Sequence, residues 1–239
     1  MGSAVPSPEA SYLKGGEPFT LQARDSEKAV ICIHGFSASP YEVKPVAIAL
    51  HDAGLHVMVP AIVGHAIDPE KQGMAILRET TWNDWLEPLK KLVIQTRKEY
   101  ELLYAYGQSM GGALALALAE EKLVDKVAVT GAAIQLSFLA RLFSPLLGKM
   151  DRLIKKRTPR NRHFQNISYT TMSTKAIRQL VLLGKHVRKH LHEIRCPILV
   201  IHSKNDKTVP AGIPGIIKNG VTDARLDIEW FNDSGHTYP

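Results

Sequence analysis

Short apolar runs recur along this 239-residue chain, and longer stretches with helical spacing separate them. The runs are AVICI (Ala29–Ile33), HVMVP (His56–Pro60), LLYAYG (Leu102–Gly107), KVAVTG (Lys126–Gly131), PILVIHS (Pro197–Ser203) and LDIEWF (Leu226–Phe231). A strand that is apolar at successive positions has to be covered on both faces, which is the situation inside a parallel sheet. Between the runs, Pro40–Gly54 reads as a helix with Gly just past its end, where a left-handed cap belongs. Thr80–Tyr100 reads as another, opened by a Thr cap and carrying Trp82, Trp85, Leu86, Leu89 and Leu92 on one stripe. Such alternation implies right-handed crossovers and a mostly parallel central sheet flanked by helices, an α/β fold. Glu17–Ala23 (EPFTLQA) reads as an antiparallel edge strand.

The alternation breaks from Ala132 to His192, where no strand pattern is visible. That stretch reads as an all-helical cap over the strand C-termini, the place where open α/β sheets bind ligands. The chain is therefore expected to divide into a first core part (1–131, with 1–16 a mobile leader), a cap (132–192) and a second core part (193–239). No run of about 18 apolar residues exists to cross a membrane. The N-terminus lacks the apolar region of a secretory signal, so a cytoplasmic location is expected. Cys32 and Cys196 sit in or beside apolar runs and read as small buried hydrophobes rather than as a disulfide. In the cap, Lys149, Arg152, Lys155, Lys156, Arg157, Arg160 and Arg162 oppose Asp151 alone, which concentrates nearly all of the +7 surplus in one segment. The plainer reading of 149–162 is a solvated helix face, and the sharper one is a contact with an anionic lipid interface. No nucleic-acid motif accompanies the charge, so nucleic acid is not an expected partner.

Within AYGQSMGGALA, Gly107-Gln108-Ser109-Met110-Gly111 matches G-x-S-x-G between a strand and a helix, the setting of a nucleophile elbow. A serine hydroxyl is a weak nucleophile near neutral pH and needs a base, with an acid behind the base. Asp206 follows the Pro197–Ser203 run and His236 follows Leu226–Phe231, in the order Ser, acid, His. Ser109, Asp206 and His236 are thus the candidate catalytic residues. The backbone N–H groups of Met110, just after the nucleophile, and Phe36, in the loop after Ala29–Ile33, are the candidate oxyanion donors. His34 reads as a structural imidazole for that loop. Ile134, Leu136, Phe138, Leu142 and Phe143 either line an apolar channel or pack the cap onto the sheet. His186, His190 and His192 share helical spacing, but KHVRKHLH carries no Cys or carboxylate at matching offsets, so no metal is expected.

HGFSASPYEV, GHAIDPE, TTWNDWL, GQSMGG, NDKTVP and SGH occur in the order found in α/β-hydrolase carboxylesterases and bacterial monoacylglycerol lipases, which the chain resembles from about Glu17 to His236. The resemblance implies the α/β-hydrolase fold with a small helical cap, the triad Ser109, Asp206 and His236, oxyanion donors at Phe36 and Met110, and no metal or organic cofactor. It implies a small-molecule ester substrate of short- to medium-chain or monoacylglycerol type. Thioester or amide hydrolysis by the same triad, and a non-catalytic binding module, are the alternatives. Two departures stand out. The usual G-H-G appears here as Gly64-His65-Ala66. Relatives also continue past the histidine into a final helix, so the natural chain is expected to extend beyond Pro239.

Overall fold

The computed structural model describes residues 11–68, 72–137, 146, 149–156 and 167–236. The apolar runs become strands of one sheet: β1 (Phe19–Leu21), β2 (Lys28–Ile33), β3 (His56–Val59), β4 (Leu102–Gln108), β5 (Lys126–Thr130), β8 (Ile198–Ser203) and β9 (Leu226–Phe231). Their spatial order is β1-β3-β2-β4-β5-β8-β9. Only β1 runs antiparallel, against β3 at the edge, and the other pairings are parallel. Strand β4, which leads into Ser109, lies inside the sheet, with Cys32 and Ile33 of β2 opposite Tyr106 and Gly107.

The period of two expected of a strand is present but split between two apolar layers. Ala29, Ile31 and Ile33 of β2 face the larger core, while Val30 and Cys32 face a smaller one. Met58 of β3 joins the first layer, and Val57 and Val59 the second. Both faces are apolar, so the alternation leaves no trace in hydropathy. Burial raises the Cys32 thiol pKa, and both cysteines are free.

The larger layer is covered by α3 (Trp82–Thr96), α4 (Met110–Glu120), α5 (Thr174–His190) and α6 (Ile213–Gly220), and α2 (Met74–Glu79) also feeds it. The start of α3 is fixed by a capping box, in which the Thr81 side chain and Asp84 satisfy each other's backbone N–H groups. Every residue of α4 is buried. The opposite face is covered by α1 (Lys44–Asp52), preceded by a 3-10 turn over Pro40–Val43, so the single helix expected there is two pieces. Gly54 takes φ +88° just past it, as its capping role requires. Beside α1, Leu50, Leu55, Tyr104, Tyr106, Ile201 and Phe231 help line an apolar groove of about 900 Å³.

The stretch expected to be wholly helical contains a short antiparallel ribbon, β6 (Leu153–Lys155) with β7 (Thr171–Ser173). These three-residue strands are too short to carry a sequence period, and β6 is exposed throughout. The Ser173 side chain then caps α5, whose Ala176, Leu180, Leu183 and Val187 pack into the larger core. The last part of the expected cap is therefore a core helix seated on α4.

Gly184 marks how closely α5 approaches the segment that follows β5, because a Cβ there would lie 2.4 Å from the Ile134 carbonyl oxygen. Alanine improves helix propensity by up to about 1 kcal/mol, but forcing a methyl against a backbone carbonyl costs roughly 1–3 kcal/mol. Gly184→Ala should therefore lower the urea midpoint. A midpoint at or above that of the parent would show that α5 has room to spare.

Candidate active site

Ser109 sits at the turn between β4 and α4 with φ 54° and ψ −112°. A non-glycine residue there carries strain of order 1–3 kcal/mol. The turn is held by backbone bonds: the Ser109 N–H donates to the Thr130 carbonyl at 2.9 Å, and its carbonyl accepts from Ala133 N–H at 2.9 Å. The flanking glycines are required by space. A Cβ on Gly107 would lie 2.1 Å from the Gly111 carbonyl oxygen, and one on Gly111 would lie 2.0 Å from the Ile33 carbonyl oxygen. The helix start is thereby pressed onto the ends of β2 and β4, and the serine side chain is lifted off the sheet.

Asp206 lies on the loop after β8 and His236 on the loop after β9. His236 Nδ1 is 2.7 Å from Asp206 Oδ2, and Nε2 is 2.8 Å from Ser109 Oγ. The second carboxylate oxygen, Oδ1, accepts the N–H groups of Thr208 at 2.8 Å and Val209 at 2.9 Å. The Asp206 side chain is wholly buried. Burial alone would raise its pKa, but the hydrogen bond from His236 and the two backbone N–H groups outweigh it and hold the carboxyl below its ordinary range. An ionised Asp206 can only accept, so the imidazole proton resides on Nδ1 and Nε2 offers its lone pair to the serine hydroxyl.

The loop bearing His236 is tied down at several points. Gln108 Nε2 donates to the His236 carbonyl at 2.8 Å. Lys204 N–H donates to the Phe231 carbonyl at 2.9 Å. Ser203 Oγ bonds the Ser234 carbonyl, and Asn205 Nδ2 bonds the Asn232 carbonyl. Sequence reasoning missed Gln108, Ser203 and Asn205 as supports. Gln108 occupies an unspecified position of its motif, and the other two act across a gap that only the β8–β9 pairing closes.

The loop after β2 lies against Ser109, since a Cβ on Gly35 would lie 3.3 Å from Ser109 Cβ. Phe36 is the next residue. Glu42 accepts the Gly35 N–H at 2.6 Å, and Lys156 Nζ donates to Ser37 Oγ at 3.1 Å. Ser37 is left-handed at φ 58°, and its carbonyl accepts the Tyr169 N–H at 2.8 Å. Met110 is the first residue of α4, where a backbone N–H has no partner within its own helix. His34 is buried and structural: its Nδ1 donates to the Gly35 carbonyl at 2.9 Å, and its Nε2 accepts from Ile62 N–H at 3.1 Å.

Lys156 departs from the reading of its segment as a solvated basic face. It reaches inward under the Gly35–Ser37 loop, and burial lowers its pKa against the opposing charge of Glu42. Lys149, Arg152 and Lys155 are exposed, and Asp151 pairs with Arg78 at 2.6 Å. Arg157, Arg160 and Arg162 lie outside the described residues, as do Phe138, Leu142 and Phe143. Ile134 is fully buried in the larger core, with Leu136 half-buried against it. Ala66, standing where the resemblance has Gly, is left-handed at φ 60° and fully buried.

A family model described as Hydrolase_4: Serine aminopeptidase, S33 matches residues 24–236. The chain is 27% identical over 233 residues to the thermostable monoacylglycerol lipase of Bacillus sp. (strain H-257), covering 96% of this chain and 90% of that enzyme. It is 25% identical over 232 residues to a carboxylesterase of Bacillus subtilis (strain 168), covering 92% and 88%. Among solved structures, one described under LipS and LipT, two metagenome-derived lipolytic enzymes, superposes with a TM-score of 0.86 at 23% identity, covering 95% of this chain and 91% of that one. That last likeness is one of fold. The described residues contain no helix long and apolar enough to cross a membrane.

The rings beneath the Gly35–Ser37 loop make the fold acid-sensitive. Burial takes the His34 pKa from 6.5 down to about 4. Burial, then the neighbouring His34, takes that of His65 from 6.5 down to about 3. Between these values and 6.5 the unfolded chain binds protons that the folded chain refuses, so stability rises with pH across that window. The contribution is complete above pH 6.5 and is lost progressively below it, that of His34 by about pH 4 and that of His65 by about pH 3. Urea unfolding free energies should fall as pH is lowered from about 7 to about 4.5, and the slope should be shallower in a His65→Gln variant. Equal slopes in parent and variant would remove His65 from this account.

Proposed function

This chain belongs to the Hydrolase_4 family, described as serine aminopeptidase, S33, and on that footing we propose that it cleaves carboxylic esters through an acyl-enzyme formed on Ser109. It is an ester-hydrolysing serine hydrolase of the α/β-hydrolase superfamily, in the branch of the Bacillus monoacylglycerol lipase and carboxylesterase that it resembles. Its proposed substrates are short- to medium-chain acyl esters or monoacylglycerols. One observation carries the assignment of residues: the continuous Asp206–His236–Ser109 hydrogen-bond chain at 2.7 and 2.8 Å.

In the proposed reaction, Ser109 Oγ attacks the ester carbonyl while His236 Nε2 takes its proton. Asp206 stays ionised and stabilises the imidazolium that forms. The tetrahedral oxyanion is met by the backbone N–H groups of Met110 and Phe36, fixed before substrate arrives. The ester C–O bond then breaks, and His236 delivers its proton to the departing alcohol. Water enters next, His236 takes a proton from it, and the resulting hydroxide attacks the acyl carbon. Release of the carboxylic acid returns the proton to Ser109.

Ser109→Ala should lower kcat on p-nitrophenyl esters by about four to six orders of magnitude, with unfolding unchanged. A fluorophosphonate probe should label the parent and not the variant. Running matched oxygen esters, thioesters and amides on one sample tests the substrate class, with oxygen esters expected to turn over fastest. Retained turnover in Ser109→Ala would end the assignment of the nucleophile.

Gln108 is proposed as a positioning residue for the base. Gln108→Ala should cut kcat by up to about 100-fold, with KM little changed and fluorophosphonate labelling slowed in proportion. A variant whose KM alone moves would place Gln108 in substrate binding.

A further inference from the structure

Glu120 closes α4 and is only 4% exposed, yet neither of its carboxylate oxygens has a hydrogen-bond partner among the described residues. The nearby basic atom His186 Nε2 stands 3.6 Å from Oε2, in ion-pair range but too far for a hydrogen bond. A buried, unpartnered carboxylate is costly. Its position aggravates this, since a helix C-terminus is the negative end of the macrodipole. Glu193 and Glu121 lie nearby and add to the negative field at this carboxylate.

Two imidazoles face it. His186 and His190 stand four residues apart on α5, one helical turn, and their rings are 4.3 Å apart. The His190 Nδ1 donates to the His186 carbonyl at 2.9 Å, which leaves the Nε2 lone pair of His190 available. Such a backbone bond to the far ring nitrogen is the usual support of a metal-ligating histidine. The Trp82 ring, 4.7 Å from that of His186, limits how that imidazole can turn. One ligand atom from each of Glu120, His186 and His190 lies within 4.8 Å of the others.

We propose that Glu120, His186 and His190 form a binding site for one divalent first-row transition ion, with zinc the best match, and that the ion fastens the end of α4 to the last turn of α5. Two imidazoles and a carboxylate are an established zinc donor set, with a fourth position for water. Magnesium and calcium prefer all-oxygen shells and are poorly served here. Tetrahedral zinc at its usual bond lengths sets donors about 3.3 Å apart, so side-chain rotation has to bring donors that stand up to 4.8 Å apart closer by as much as about 1.5 Å. Both histidines are half-buried, which gives the ion a path from solvent. Lys90, bridged to Glu87 at 3.0 Å and to Glu121, and Arg188 and Lys189 on the last turn of α5 oppose the incoming charge. Along α4 the site lies about 16 Å from Ser109, so the ion takes no part in acyl transfer. Sequence spacing could not reveal it, because the carboxylate comes from another helix.

The test uses the full chain stripped with a chelator and then titrated with zinc chloride. Calorimetry should give one equivalent, with a raised Tm and d–d bands of a low-symmetry site when cobalt replaces zinc. Glu120→Gln and His190→Ala should each weaken binding by at least the roughly 10- to 100-fold that loss of an outer-shell partner costs elsewhere, and abolish the Tm rise. The exposed His192→Ala should bind like the parent. Ester hydrolysis by His190→Ala in metal-free buffer should match the parent, showing that the variant folds. Three results would overturn the site: no stoichiometric uptake, uptake equal in parent and His190→Ala, or zinc that blocks hydrolysis in both, which would place it at Asp206 and His236.

Discussion

The candidate active site depends on the backbone of α4 touching the backbone of the sheet. The first turn of that helix approaches the ends of β2 and β4 so closely that a single added carbon at Gly107 or Gly111 would overlap a carbonyl oxygen. This contact forces Ser109 into its left-handed turn and sets its side chain beyond the sheet edge. It also brings the Gly35–Ser37 loop alongside the serine and leaves the Met110 N–H pointing out of the helix start. Strain at one residue is offset by burial of the whole of α4, whose eleven residues all lie in the core.

Most of the strands were legible because both sheet faces are apolar there, so they appear as mainly apolar runs, while β9 alternates Asp227 and Glu229 with apolar residues. The same property hid which residues face which layer. Ser109, Asp206 and His236 were legible as candidates because each follows a strand and a turn signal. The bonds that position them were not legible. Gln108 reaches across 128 residues of chain to the His236 carbonyl, and Lys156 reaches across 119 to Ser37. Lys156 was read with its neighbours as solvated charge, but it lies just past a three-residue strand too short to give a period from which its direction can be inferred. Glu120 and His186 belong to helices whose packing is set by apolar stripes, and polar groups between those stripes leave no pattern of their own.

The two faces of the sheet are unequal. One carries four helices and a continuous core, and the other carries α1 beside an apolar groove. The groove's rim includes Ser234 and Gly235, next to the histidine of the triad geometry. Rigidity around His236 therefore comes from hydrogen bonds to the ends of β4 and β8 rather than from apolar packing behind it.

Those hydrogen bonds share one property. The groups on the His236 loop that accept them, at Phe231, Asn232, Ser234 and His236, are all main-chain carbonyls. A carbonyl is the same in every residue. The side chains that specify the loop's position are thus written elsewhere, at Gln108, Ser203 and Asn205, and the positions between Phe231 and His236 can change identity without moving the imidazole. The placement of the His236 imidazole is encoded remotely, and its own loop is close to a blank spacer of fixed length.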